Sequence, residues 1–197
     1  MPSVFDKDPL EPRQPAKQGR HRLPRINGVI ASVLVLTVLT TIPDNRRLGD
    51  ALQVVLPLAA LACAAAQGKA PAILGRYVVL EVGIKGPKYL LGDHPMNKRP
   101  DGGGRGFPSG HTAAATFGAA HLLHHCAGLH PATKGIVLLG AAFTGGSRIE
   151  AGRHTLWQTV AGALWGWAIA LLPWSIFSWF RRRTWGCLLY TSPSPRD

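Results

Sequence analysis

Charge in this chain is gathered into clusters, and about six apolar segments run between them, at residues 26–43, 51–66, 71–91, 111–129, 135–146 and 155–180. Between Gly28 and Pro43 there is no charged residue at all. Apolar runs of this kind need a bilayer or neighbouring helices to bury them. Several are shorter than the ~20 residues a bilayer core demands, which suits inner helices shielded from lipid by their neighbours. The third segment carries Arg76, Glu81, Lys85 and Lys88. Because a charge facing lipid is costly, Arg76 and Glu81 are expected to face the bundle or to lie at the interface. The resulting expectation is an all-α integral membrane bundle of about six transmembrane helices within residues 26–186.

The flanks differ from this core. Residues 1–25 hold six of the 22 basic side chains (Lys7, Arg13, Lys17, Arg20, Arg22 and Arg25) and several prolines, so they read as a disordered basic cytoplasmic arm. That polar stretch is long and no clear small-residue cleavage site follows the first apolar run, so the run is expected to stay as an uncleaved span. Residues 187–197, Cys-Leu-Leu-Tyr-Thr-Ser-Pro-Ser-Pro-Arg-Asp, change character abruptly and are expected to be a non-native tail.

Small residues crowd the fourth and fifth segments, as Ala113-Ala114-Ala115, Gly118-Ala119-Ala120, Gly140-Ala141-Ala142 and Gly145-Gly146. They let helix backbones approach closely inside a bilayer. Trp165, Trp167, Trp174, Trp179 and Phe180, followed by Arg181-Arg182-Arg183, suggest a cytoplasmic helix end. Six spans with the N-terminus inside put 12 basic residues inside and nine outside. Seven of the nine lie in or beside the candidate site described below. The expected location is the bacterial inner membrane, with that site facing the periplasm or exterior.

A formal net charge of +12 admits nucleic acid, anionic lipid or phosphorylated substrates as partners. Nucleic acid fits poorly, because the basic residues are separated by apolar runs and are not interleaved with aromatics on one soluble face. Lipid headgroups and phosphate remain. The three cysteines, Cys63, Cys126 and Cys187, show no paired spacing, and no disulfide framework or zinc ribbon is expected. His121, His124, His125 and His130 with Cys126 invite a metal reading, since His121 and His125 share a helix face. The plainer reading is interfacial histidines, because the group lies at the opposite end of the fourth segment from the motifs below.

Three clusters carry chemistry: Lys88 to Arg99-Pro100; Gly106-Phe107-Pro108-Ser109-Gly110-His111; and Ser147-Arg148 through Arg153-His154. Ser109 is a good N-cap directly before an apolar helix. Free N–H groups at a helix N-terminus form an anion site, and Gly110 lets an oxyanion come close to the backbone. His111, in the first turn, points into the same pocket and suits a general acid. Arg148 and His154 sit six residues apart, so one loop presents both. Arg offers a planar fork for phosphate oxygens, and a neutral imidazole beside it can attack phosphorus. Lys88 and Arg99 add fixed cations that stabilise charge on the transferring phosphoryl group.

In this order the clusters resemble the type 2 phosphatidic acid phosphatase and haloperoxidase superfamily, over roughly residues 88–166. The resemblance implies that His154 is the nucleophile and His111 the general acid. It implies that Lys88, Arg99, Ser109, Gly110 and Arg148 bind phosphate, with no metal or cofactor. The implied activity is hydrolysis of a lipid phosphomonoester or pyrophosphate through a phosphohistidine. Candidate substrates are phosphatidic acid, phosphatidylglycerol phosphate, polyprenyl pyrophosphate or a lipid A phosphate. The partners are this lipid phosphate and membrane lipids. Phosphotransfer between lipids is the alternative within enzymes.

Two departures stand out. Ten residues separate Lys88 from Arg99 where the family has six, so Asp93-His94-Pro95-Met96 reads as an insertion and Lys85 is a rival for the lysine role. Four positions after His154 the family has Asp, and this chain has Gln158. Gln can accept the hydrogen bond of the histidine but carries no charge and can flip. Glu150 or Asp101 is a possible stand-in, and a catalytically impaired phosphate-binding protein is the alternative reading.

Overall fold

A computed structural model of the chain describes residues 23–41, 44–126 and 128–173. These form α1 (Leu23–Thr41), α2 (Asn45–Ala66), α3 (Ala70–Leu90), a 3-10 turn (Pro95–Asn97), α4 (Gly110–His125), α5 (Pro131–Glu150) and α6 (Leu156–Leu171), with no strand among the described residues. The expectation of an all-α fold with about six helices holds. Residues 1–22, the tail at 187–197, Trp174, Trp179, Phe180 and the Arg181-Arg182-Arg183 cluster lie outside the described residues.

α4 is the central helix. Every residue from 112 to 122 is buried, and α2, α3, α5 and α6 all pack on it. Its sequence explains this: Ala, Gly and Thr leave no bulky face, so neighbours can close on all sides. A Cβ on Gly118 would overlap the backbone of Leu56 and Pro57 in α2. On the opposite side, Gly162 and Gly166 of α6 lie against the carbonyls of Ser109 and Ala113. The small residues therefore do bring backbones together. Trp165 is a packing residue, donating from Nε1 to the Leu80 carbonyl at 3.2 Å across α3 and α6.

The outward faces are apolar: Leu36, Leu58, Val78, Val82, Leu139 and Leu164 are each more than half exposed. Among the described residues, one helix, Asn45–Ala66, is by itself long and apolar enough to cross a membrane; Gly28–Thr40 and Leu156–Leu171 are apolar but shorter.

Two elements depart from the sequence-based expectation. The charged stretch after α1 was expected to connect two spans, but most of it is the first two turns of α2. Asp44 caps this helix, accepting from the amides of Arg46 at 3.0 Å and Arg47 at 3.3 Å. A capping side chain satisfies orphan helix donors and lets charged residues start a helix that the apolar pattern misses. The expectation of no disulfide is also overturned. Cys63 near the end of α2 and Cys126 at the C-cap of α4 are bonded. They are 63 residues apart in sequence, so only the packing of α2 on α4 brings them together.

Candidate active site

The site forms where the N-terminus of α4, the ends of α3 and α5 and the loop before α6 meet. Asn97, fully buried, ties these parts. Its Nδ2 donates to the carbonyls of Lys88 at 3.0 Å and Gly92 at 2.8 Å. Its Oδ1 accepts from Phe107 N at 3.2 Å, and its main-chain carbonyl accepts from Gly106 N at 2.7 Å. The inserted residues 93–96 thus serve to turn the chain, with His94 Nδ1 accepting from Met96 N at 3.2 Å to start the 3-10 turn. The Phe107–Pro108 peptide is cis.

Ser109 occupies the N-cap of α4 as expected, yet its hydroxyl does not cap the helix. The hydroxyl pairs with Thr112 Oγ1 at 2.9 Å, while Ser109 N donates to the Gln158 carbonyl at 2.9 Å. No side chain caps the α4 N-terminus, so its first N–H groups have no side-chain acceptor and carry the positive end of the helix dipole, beside a pocket that Gly110 and His111 line.

Lys88, Gly110 and His111 line one cavity of about 300 Å³, with Arg105 and Tyr89 at its rim. The Arg105 guanidinium lies over the Tyr89 ring, 4.8 Å from its centroid. Lys88 is within electrostatic reach of Arg99, His111 and His154. The rival Lys85 instead pairs with Glu81 at 3.3 Å. Arg99 sits in a tight turn closed by Arg99 N donating to Gly103 O at 2.7 Å, and its Nε is buried without a partner. A guanidinium N–H held this way is set up for an anion.

Arg148 is buried, and its Nη2 donates to the Arg46 carbonyl at 2.9 Å. Its Nη1 pairs with Asp50 Oδ1 at 2.8 Å, and the same oxygen meets His111 Nε2 at 3.1 Å. Asp50 therefore joins the two residues that the motifs single out. Sequence reasoning missed it because it lies in the charged stretch taken for a connection. Gly49 beside it permits this approach, since a Cβ there would collide with Ser147.

His154 is buried, and its Nδ1 faces the Gly106 carbonyl at 2.9 Å and Gln158 Oε1 at 3.3 Å. Both neighbours are acceptors, so Nδ1 carries the proton and Nε2 keeps its lone pair. Burial, and secondarily the charges of Arg99 and Lys88, push its pKa down to about 4, against the opposing hydrogen bonds to Gln158 and Gly106. The imidazole is neutral at pH 7, and a neutral imidazole can act as a nucleophile.

Gln158 is not free to flip. Its Nε2 donates to the carbonyls of Met96 at 2.9 Å and Lys98 at 2.8 Å, and its Oε1 accepts from Thr155 N at 3.1 Å. Thr155 and Gln158 form a reciprocal capping box at the start of α6, a pattern legible in Thr155-Leu-Trp-Gln158 that sequence reasoning passed over. The two acidic residues considered as stand-ins are occupied elsewhere. Glu150 accepts from Asn45 at 3.2 Å, and Asp101 pairs with Arg153 at 3.1 Å. The acceptor that complements Gln158 at His154 is the main-chain carbonyl of Gly106. Glycine is required at 106, because a Cβ would meet the Gln158 amide at 2.6 Å.

The histidine group at the other end of α4 divides its duties. His130 Nδ1 caps α5 by accepting from Ala132 N at 3.2 Å, and His124 meets Trp167 edge-on at 5.5 Å. His121 and His125 meet with their rings tilted at 46° and centroids 4.8 Å apart.

Comparison with known proteins gives a family and one partial relative. The family described as the PAP2 superfamily matches residues 58–182. The lipid A 4'-phosphatase of Helicobacter pylori (strain J99 / ATCC 700824) is 43% identical over 68 residues, which is 34% of this chain and 33% of that protein. The match thus spans about a third of the relative's length. No solved structure gives a significant match.

Proposed function

The chain belongs to the PAP2 superfamily, and from that membership we propose that it is an integral membrane lipid-phosphate phosphatase that works through a phosphohistidine at His154. In the first step, Nε2 of His154 attacks phosphorus in line. The bond to the leaving oxygen breaks as protonated His111 gives that oxygen a proton. Lys88, Arg99, Arg148 and the main-chain amide of Gly110 take up the charge spread over the non-bridging oxygens. In the second step His111 removes a proton from water, whose oxygen attacks the phosphohistidine and releases phosphate and neutral His154. The reading requires no metal.

The observation that carries the lipid half of this proposal is a shared wall. The cavity holding Lys88 and His111 has Gln53 and Tyr77 in its lining, and both also line an apolar groove of about 350 Å³ between α2 and α3. Leu58, Leu61, Leu74 and Phe117 are among the apolar residues of that groove. A phosphate in the polar cavity would leave its acyl chain in the groove. The relative named above acts, by its name, on lipid A, which supports a lipid A phosphomonoester among the candidate substrates, beside phosphatidic acid, phosphatidylglycerol phosphate and polyprenyl pyrophosphate.

The apolar outward faces support a bundle set in a bilayer, with residues 26–186 as its domain. The distribution of basic residues supports the site facing the periplasm or exterior. The Cys63–Cys126 pair then lies at the cytoplasmic end, where disulfides are rare, but both cysteines are only 2% exposed and so are sheltered from reductants.

The test is phosphate release in detergent with EDTA present, over a panel of these lipids, with His154→Ala as control. Release that depends on His154 and tolerates EDTA supports the proposal. No release from any lipid overturns it.

A further inference from the structure

We propose that the far end of the bundle carries a second oxyanion site, built from Lys69, Arg76, His121 and His125, that binds a phosphate group. The cavity there has about 450 Å³ and lies where the α2–α3 turn meets α3 and the end of α4. It is remote from the catalytic pocket. His121 is ten positions along α4 from His111, or ~15 Å of helix rise, and Arg76 is twelve positions before Lys88 on α3, or ~18 Å.

Two features make this a built site. Arg76 is 7% exposed and His121 is 4% exposed, and both line the cavity. Arg76 Nε and His121 Nδ1 are buried polar atoms without a hydrogen-bond partner among the described residues. Among the described residues, no carboxylate pairs with Arg76. A buried guanidinium that lacks a counter-charge is costly and is retained where something anionic meets it.

The donor set selects the ligand class. Arg76 and Lys69 set a positive field that repels metal ions. His125 Nε2 meets the Ala170 carbonyl at 3.2 Å and Lys69 Nζ gives one bond to Gln67 Oε1 at 3.3 Å, which leaves Arg76, the remaining N–H groups of Lys69 and His121 as the donors that line the cavity. A guanidinium, an ammonium and an imidazole around one cavity suit the three or more oxygens of a phosphate, which can meet donors from several directions at once and carry more charge than a carboxylate. The phosphate can be a free ion or an anionic lipid headgroup, because this end of the bundle lies at headgroup depth if the chain spans a bilayer. The site does not depend on catalysis at His154.

The experiment uses the full chain in detergent, with Arg99→Gln as the background that weakens the catalytic pocket. Equilibrium dialysis measures bound inorganic phosphate, and native mass spectrometry measures phosphatidylglycerol adducts. Adding Arg76→Gln is expected to weaken one of the two at least tenfold, and which one falls identifies the free ion or the headgroup. Lys69→Gln, on an exposed residue, is expected to weaken the same ligand several-fold and carries the test if Arg76→Gln does not fold. Arg76→Gln alone is expected to keep the lipid-phosphate hydrolysis of the wild type. The proposal is overturned if neither variant changes phosphate or phosphatidylglycerol binding.

Discussion

Replacing Gln158 with Glu keeps the length of the side chain and the acceptor facing His154, and changes only the two donors. Those donors reach Met96 O at 2.9 Å and Lys98 O at 2.8 Å. Each such bond contributes about 0.5–1.5 kcal/mol net, so the loss of both is about 1–3 kcal/mol. A carboxylate facing two carbonyl oxygens adds repulsion. At about 2–4 °C per kcal/mol for a chain of this size, the melting temperature in detergent is expected to fall by roughly 2–12 °C. The loop that carries Asn97, Arg99 and Gly106 loses its tie to α6, so hydrolysis is expected to fall as well. Family reasoning from an orienting carboxylate gives the opposite sign, with a gain of up to ~10⁴ if the neutral Gln were the defect. Thermal melts and initial rates of wild type, Gln158→Glu and Gln158→Asp decide between them. A tenfold or larger gain in rate with unchanged melting would refute the pinning role.

Other perturbations test other parts. His154 has to be neutral to attack, so kcat/KM, corrected for ionisation of the substrate, is expected to hold down to about pH 4; a limb near ~6.5, the free imidazole value, contradicts the burial argument. The sign for stability is the same. The folded pKa lies below the unfolded one, so the protein loses stability as pH falls from about 6.5 to about 4, by ~1.4 kcal/mol per unit, readable in denaturation at fixed salt. Asp50→Asn frees Arg148 and removes the counter-charge of His111. Inhibition by phosphate is expected to strengthen about tenfold while kcat drops by ~10², and an unchanged pair of values excludes Asp50 from the pocket. Gly118→Val drives a side chain into the Leu56–Pro57 backbone, and is expected to cost several kcal/mol or to prevent assembly, seen as loss of the monodisperse species.

The helical class and the three motif clusters were legible because apolar periodicity and short-range motifs are local signals. α4 was recognisable from its run of Ala and Gly. What stayed hidden depends on contacts between distant positions. Asp50 reaches the pocket because Asp44 starts α2 early. Cys63 meets Cys126 because α2 lies on α4. The Gly106 carbonyl, the nearest acceptor at His154, is main chain and leaves no mark in side-chain patterns. The role of Gln158 was half legible, since Thr155-Leu-Trp-Gln158 reads as a capping box, while its bonds to Met96 and Lys98 required the loop to be in place.

The most direct test of the central claim is to trap the covalent intermediate. Lipid labelled with ³²P in its terminal phosphate is mixed with the protein in detergent and quenched in base, where phosphohistidine survives. The account predicts an acid-labile, base-stable label on the peptide containing His154, more of it in His111→Ala and none in His154→Ala. Steady release of phosphate with no label on His154 in either the wild type or His111→Ala would contradict it.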